Sequence, residues 1–185
     1  FTKLAEKDLQ RGEILGVPAA LIVLLIVFGA VLAACMPLLL SIISIVLALA
    51  ITALIGQVYP MNTFVLNILT MMGLAVGIDY ALFVISRYRE ERARGLAKLD
   101  AITATGATAN RAIFFSGMTV VLAMTGMVII PLDIMISMGV GVMLVVFTTL
   151  LTALIALPAL LSLLGDRVDA LRLPFVGRRA ARGLN

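Results

Sequence analysis

One acid constrains this chain more than any other residue. Asp79 sits in the run GLAVGIDYALFVI, which is Gly73 to Ile85, with no other charge in it. An ionisable side chain inside a membrane-length apolar helix is expensive to keep, and its default reading is functional. Burial disfavours the charged form of a carboxylate, so a carboxyl group pressed between helices can take up and release a proton near neutral pH. Asp79 is therefore expected to act as a proton relay. Tyr80 adjoins it, and a phenol can donate to a carboxylate on a facing helix or accept from a protonated one. Gly73 and Gly77 precede Tyr80 by seven and three residues, on one helix face, with Asp79 about 100° away. Small residues at such positions let another helix come close. Each feature has a plainer alternative: Asp79 satisfied by Ser, Thr or Asn on neighbouring helices, Tyr80 as packing, and the two glycines as simple contact points.

The elements that must position these groups follow from composition. The hydrophobic share is 63%, the charged share 13% and the mean hydropathy +1.19, against about 25% charged in soluble domains. This is the composition of an integral membrane protein, and the expected fold class is an all-α, polytopic membrane helix bundle. The charge-free runs predict five transmembrane helices at residues 14–36, 38–58, 64–85, 112–130 and 134–157, within a transmembrane domain of residues 14–164. About 20 residues suffice for a hydrocarbon core of about 30 Å. Pro37 is expected to separate the first two spans as a tight hairpin. The last run, Ile134 to Leu164, has 31 uncharged residues, so a kink is expected at Pro158. Residues 86–111 read as an amphipathic connection in which Glu90 and Glu91 can pair with Arg87 and Arg94 at helical spacing. Residues 1–13 read as a linker entering the membrane and residues 165–185 as a basic linker.

Orientation comes from the short-loop cations. Arg87, Arg89, Arg92, Arg94, Lys98 and Arg111 follow the third span, Arg167, Arg172, Arg178, Arg179 and Arg182 follow the fifth, and the turns near Tyr59 and Pro131 carry none. Five spans put both basic segments on one side, expected to be cytoplasmic, with the amino end outside. The chain has no His and a single cysteine, Cys35, inside an apolar run, so no metal set or disulfide framework is expected. No Walker-type loop and no nucleophile with a base is present, so neither an ATP-driven step nor an enzyme activity is expected. No nucleic-acid partner and no cofactor are expected.

The run GLAVGIDYALFVISRYREE, with TANRAIFFSG after it and LGDRVDALRLPFVGRR in the tail, resembles the MMPL branch of the resistance-nodulation-division (RND) transporters. In that family a Gly-x-x-x-Gly-x-Asp-Tyr motif lies on the fourth helix of a six-helix half. The resemblance implies that this segment is helices two to six of an amino-terminal half, in a bacterial inner membrane. It implies export of lipids or other amphiphiles, driven by the proton gradient through Asp and Tyr pairs that face each other across two halves. Asp79 would carry the proton, Tyr80 would be its partner, and Ser116 on the next helix would join by hydrogen bonding. The implied partners are a lipid or amphiphile substrate, a second transmembrane half and porter domains of the same protein, and the preceding linker would be extracytoplasmic. The arrangement is also similar to sterol-sensing lipid-binding modules and to a protein-export accessory factor of related fold, which are the alternatives.

Overall fold

The computed structural model describes residue 16 and residues 18–164, so the linkers expected at residues 1–13 and 165–185 lie outside the described residues. The described residues form five helices: α1 (Pro18–Phe28), α2 (Val31–Ile55), α3 (Phe64–Ala93), α4 (Lys98–Ile129) and α5 (Asp133–Leu164). No strand occurs among the described residues, and α2 to α5 are each long and apolar enough to cross a membrane. This is an all-α, polytopic membrane bundle. The helix in the first apolar run, α1, is apolar and, over its described residues, shorter than a span. At 30 to 32 residues, α3, α4 and α5 extend to about 45–48 Å at 1.5 Å per residue. Each is longer than a hydrocarbon core of about 30 Å.

The boundaries differ from those read in the sequence. Pro37 does not separate two spans, because it lies inside α2. A proline lacks the N–H that would bond the carbonyl four residues back, but a helix in lipid tolerates this where other groups compensate. The Ser41 hydroxyl donates to the Pro37 carbonyl at 2.8 Å, which holds the next turn closed. The chain breaks instead at Gly29, whose φ of 60° lies in the left-handed region that suits glycine. The connection read at residues 86–111 is almost wholly helical, as the spacing of its charges suggests. The third helix continues to Ala93 and α4 starts at Lys98, so only residues 94–97 connect them. Ion pairs hold the last turns of α3: Arg87 with Glu90 (2.7 Å) and Glu91 (2.8 Å), and Arg94 with Glu90 (2.6 Å) and Glu91 (3.0 Å). The stop comes at Gly95, with φ of 90°. At the other end of the chain, the disturbance expected at Pro158 is a π turn at Thr152–Ala156, just before the proline.

The chain divides into two compact units, residues 1–36 with 164–185, and residues 37–163. In the first, the described chain is α1, the break at Gly29 and the opening turns of α2; the Gly29 N–H donates to the Leu25 carbonyl at 2.9 Å and so closes α1.

The second unit is built around α5. Of its most apolar stretch 56% is buried, against 11% for α4, so α5 is the centre and α4 the periphery. Ala48 of α2, Val65 and Leu69 of α3, and Val142, Val145 and Val146 of α5 form the apolar core. Thr148 Oγ1 of α5 donates to the Ser44 carbonyl of α2 at 3.1 Å. The unit has two unlike ends. At one, Lys98 Nζ donates to the Ser162 carbonyl at 2.9 Å, which ties the start of α4 to the end of α5. At the other, Tyr59 Oη donates to Asp133 Oδ1 at 3.5 Å and the Asn62 N–H to Ser137 Oγ at 3.3 Å. Between the ends, Leu39, Ile42, Val46, Leu122, Phe147 and Ile155 are exposed, an apolar surface that a soluble protein would not keep open.

Candidate functional site

The site is built on the middle of α3, where small residues decide what can approach. Gly73 faces α2 and α5: a Cβ there would lie 2.5 Å from Ile45 Cγ1 and 2.8 Å from Val145 Cγ2. Gly77 faces α2 so closely that a Cβ would collide with the Ser41 side chain and come within 3.0 Å of its Cα. On the α5 side the same device recurs at Gly141, where a Cβ would meet Val65 Cγ1 at 2.9 Å. Glycine lets two backbones come together in the absence of any water-driven force between helices, since dispersion contacts replace it. These contacts fix the rotation of α3, and the rotation fixes where the next residues point.

Tyr80 is buried, with 8% of its surface exposed. Its hydroxyl lies 3.2 Å from where a Cβ of Gly117 would be, and Leu150 Cδ1 of α5 lies 2.5 Å from the same point. Tyr80 is thus seated in a notch of α4 that only glycine leaves open. Asp79, one residue earlier, is exposed, and among the described residues its carboxylate takes no partner. The expectation that Asp79 is pressed between these helices is not what the structure shows. The helix rotation that buries Gly77 and Tyr80 turns Asp79 out of the unit.

Asp79 belongs to a stripe. Met71, Ala75, Asp79, Phe83, Ser86 and Glu90 are all exposed at spacings of three or four residues, which on a helix is one continuous face. Toward the charged end, this face borders an open groove of about 380 Å³ between α3 and the π turn of α4, lined by Phe83, Ser86, Arg87, Glu90, Thr108 and Ala109. Arg87 Nε and Asn110 Oδ1 beside it are buried without a hydrogen-bond partner. Ser116, the third expected member, is exposed on α4 next to the notch glycine. The structure therefore brings Tyr80 and Gly117 together and leaves Asp79 and Ser116 on open surface. Among the described residues no group of acids, cysteine or histidine could hold a metal ion.

Two features were missed in the sequence: Gly117 as the seat of Tyr80, and the π turns Gly106–Asn110 and Thr152–Ala156. The threonine-rich stretches ITATGAT and TTLLT were the available signal, because threonine hydroxyls compete for helix carbonyls.

Comparison with known proteins adds to this geometry. A family model described as the MMPL family matches residues 1–182. The chain is 37% identical over 164 residues to the mycolic acid-containing lipids exporter MmpL11 of Mycolicibacterium smegmatis, covering 89% of this chain and 17% of that protein. It is 33% identical over 165 residues to the trehalose monomycolate exporter MmpL3 of the same organism, covering 89% and 16%. It is 35% identical over 156 residues to the membrane protein YdfJ of Bacillus subtilis, covering 84% and 22%. The chain spans about a fifth of the length of these curated relatives or less.

Proposed function

The chain belongs to the MMPL family, and on that premise we propose that it is part of a proton-driven exporter of lipids or similar amphiphiles. Two of the relatives are named as exporters of mycolic acid-containing lipid and of trehalose monomycolate, which supports the substrate class. The observation that carries the energy source is the setting of Asp79, an acid on the open apolar face of a membrane helix, without a partner among the described residues. A carboxyl group left there would be costly, so the Asp79 face requires a cover. A second set of helices, from elsewhere in the same protein, is the cover that fits: it would dehydrate Asp79, oppose it with a group able to exchange a proton, and bury the stripe from Met71 to Ser86.

In this mechanism Asp79 alternates between charged and neutral forms. Charged, it attracts donors on the opposing surface; neutral, it releases them, and the two surfaces separate or slide. Tyr80, seated against Gly117, ties the middle of α3 to α4, so the change in charge at the interface is passed on to the helix behind it. Ser116 is a hydrogen-bonding group on the adjoining open surface. We assign the end bearing Arg87, Arg94 and Lys98 to the cytoplasm, because short basic segments are retained there, and the turns at Tyr59 and Asp133 to the other side. With α2 to α5 as four spans, the start of α2 lies on the cytoplasmic side, and an extracytoplasmic amino end requires the run that contains α1 to cross as well.

The test is Asp79→Asn in the full-length protein. The amide keeps size and polarity but cannot carry a proton, so the variant should reach the membrane at normal abundance and fail to move lipid into the outer leaflet. Normal export by that variant, or export by the unaltered protein after the proton gradient is collapsed, would overturn the proposal.

A further inference from the structure

Both α4 and α5 are interrupted by a five-residue π turn, Gly106–Asn110 and Thr152–Ala156. A π turn holds one residue more than the α-helix around it, and such turns concentrate at functional places. Here there are two, and they are not independent. They lie against each other, with Cα atoms within 8 Å, and both lie against α3.

The local chemistry loosens the backbone at both. Thr105 and Thr108 donate to the carbonyls of Ala101 (2.7 Å) and Ala104 (3.2 Å) at the first turn. Thr149 and Thr152 donate to those of Val145 (2.6 Å) and Thr148 (2.8 Å) at the second. A carbonyl that already accepts a hydroxyl is less committed to its amide, so the helix can exchange partners at low cost. At the second turn the Leu157 N–H donates to the Thr152 carbonyl, five residues back, and Pro158 has no N–H to offer Leu154.

On either side of the turns, α4 and α5 are fastened to each other. Toward the charged end the fastening is Lys98 Nζ to the Ser162 carbonyl. Toward the other end Leu150 fills the notch at Gly117, and Met124, Met127 and Val128 close on Gly139, a Cβ of which would meet Val128 Cγ2 at 3.0 Å. The hairpin is thus fastened on each side of the paired π turns.

We propose that the two π turns are one slip joint: they shift register together, so that the two fastened parts of the α4–α5 hairpin turn against each other. The shift moves Gly117 relative to Tyr80 and moves Thr108 and Ala109 in the wall of the groove that borders the Asp79 stripe. This rests on the transport reading and gives it a mechanical link, from the charge at Asp79 to the shape of the bundle. Each residue of slip translates the backbone by about 1.5 Å, enough to unseat a phenol from a glycine notch.

Two measurements on the full-length protein in nanodiscs test it. Amide hydrogen exchange over residues 106–110 and 152–156 should change in both segments together, by about tenfold in rate, on Asp79→Asn. A change confined to one segment, or none in either, overturns the joint. Deleting the exposed Ala107 or Ile155 removes the extra residue from one turn; each deletion should leave the protein inserted but lower export by about tenfold or more. Normal export by an inserted deletion variant overturns the joint while leaving the transport reading intact. Normal export by Asp79→Asn has the opposite meaning: it removes the transport reading, whatever the deletions do. Should a deletion variant fail to accumulate, the exchange measurement on the undeleted chain decides.

Discussion

Along α3, the face bearing Gly73, Gly77, Tyr80 and Val84 is buried, while the face bearing Met71, Ala75, Asp79, Phe83 and Ser86 is exposed throughout. Polarity does not separate the two, since both are largely apolar. Size does: the buried face carries glycine where α2 and α5 arrive, and the exposed face carries an acid where nothing in this unit arrives. In lipid, where apolar surface has no reason to hide, steric fit decides which side of a helix becomes interior. The acid is then displayed on the side left over, ready for a partner surface.

Substitutions that add volume should separate the faces sharply. Gly77→Val is expected to have the largest effect, about 3 kcal/mol or more, because the new Cβ meets Ser41 down to its backbone. In detergent its unfolding midpoint should collapse; a midpoint near that of the unaltered protein would mean α2 and α3 are not in contact at this level. Gly117→Ala should cost about 1–2 kcal/mol, since the added methyl meets Leu150 and the Tyr80 hydroxyl, both of which can give. Its more telling readout is the environment of Tyr80, followed by tyrosine-selective labelling, which should increase. Glu91→Gln should cost about 1 kcal/mol: its side chain is 7% exposed between Arg87 and Arg94, but Arg94 is largely in solvent. Ala75→Leu, on the open face, should change stability by less than about 0.5 kcal/mol in the isolated segment. In the full-length protein the same substitution should impair export, because the covering surface would then meet it. An Ala75→Leu protein with normal export would mean that this face is never covered.

The sequence made much of the fold legible, and the reasons it fell short are physical. Runs without charge located the apolar stretches behind α2 to α5, because the cost of a charge in hydrocarbon is large and local. The i+3 and i+4 spacing of Arg87, Glu90, Glu91 and Arg94 already argued for helix, and all four pairings are formed. Helix ends were harder. Pro37 reads as a stop by the rules of water-exposed helices, yet α2 runs through it, since a membrane helix cannot easily trade its backbone bonds for water. The direction of Asp79 was not legible at all, because a helix apolar on every side has no periodicity from which its rotation can be read. What set that rotation was a set of contacts from Ser41, Ile45 and Val145, all remote in sequence from Asp79.

The four residues that join α3 to α4, Arg94, Gly95, Leu96 and Ala97, have a practical use. Nothing lies within 4 Å of where a Cβ on Gly95 would be, and the flanking helices are pinned separately, α3 by its ion pairs and α4 by Lys98. An epitope inserted at exposed Ala97, with Gly95 kept because its φ of 90° strains any other residue, would therefore hang from the rim of the bundle without prying it apart. It would let the sidedness of the membrane insertion be scored directly in living cells.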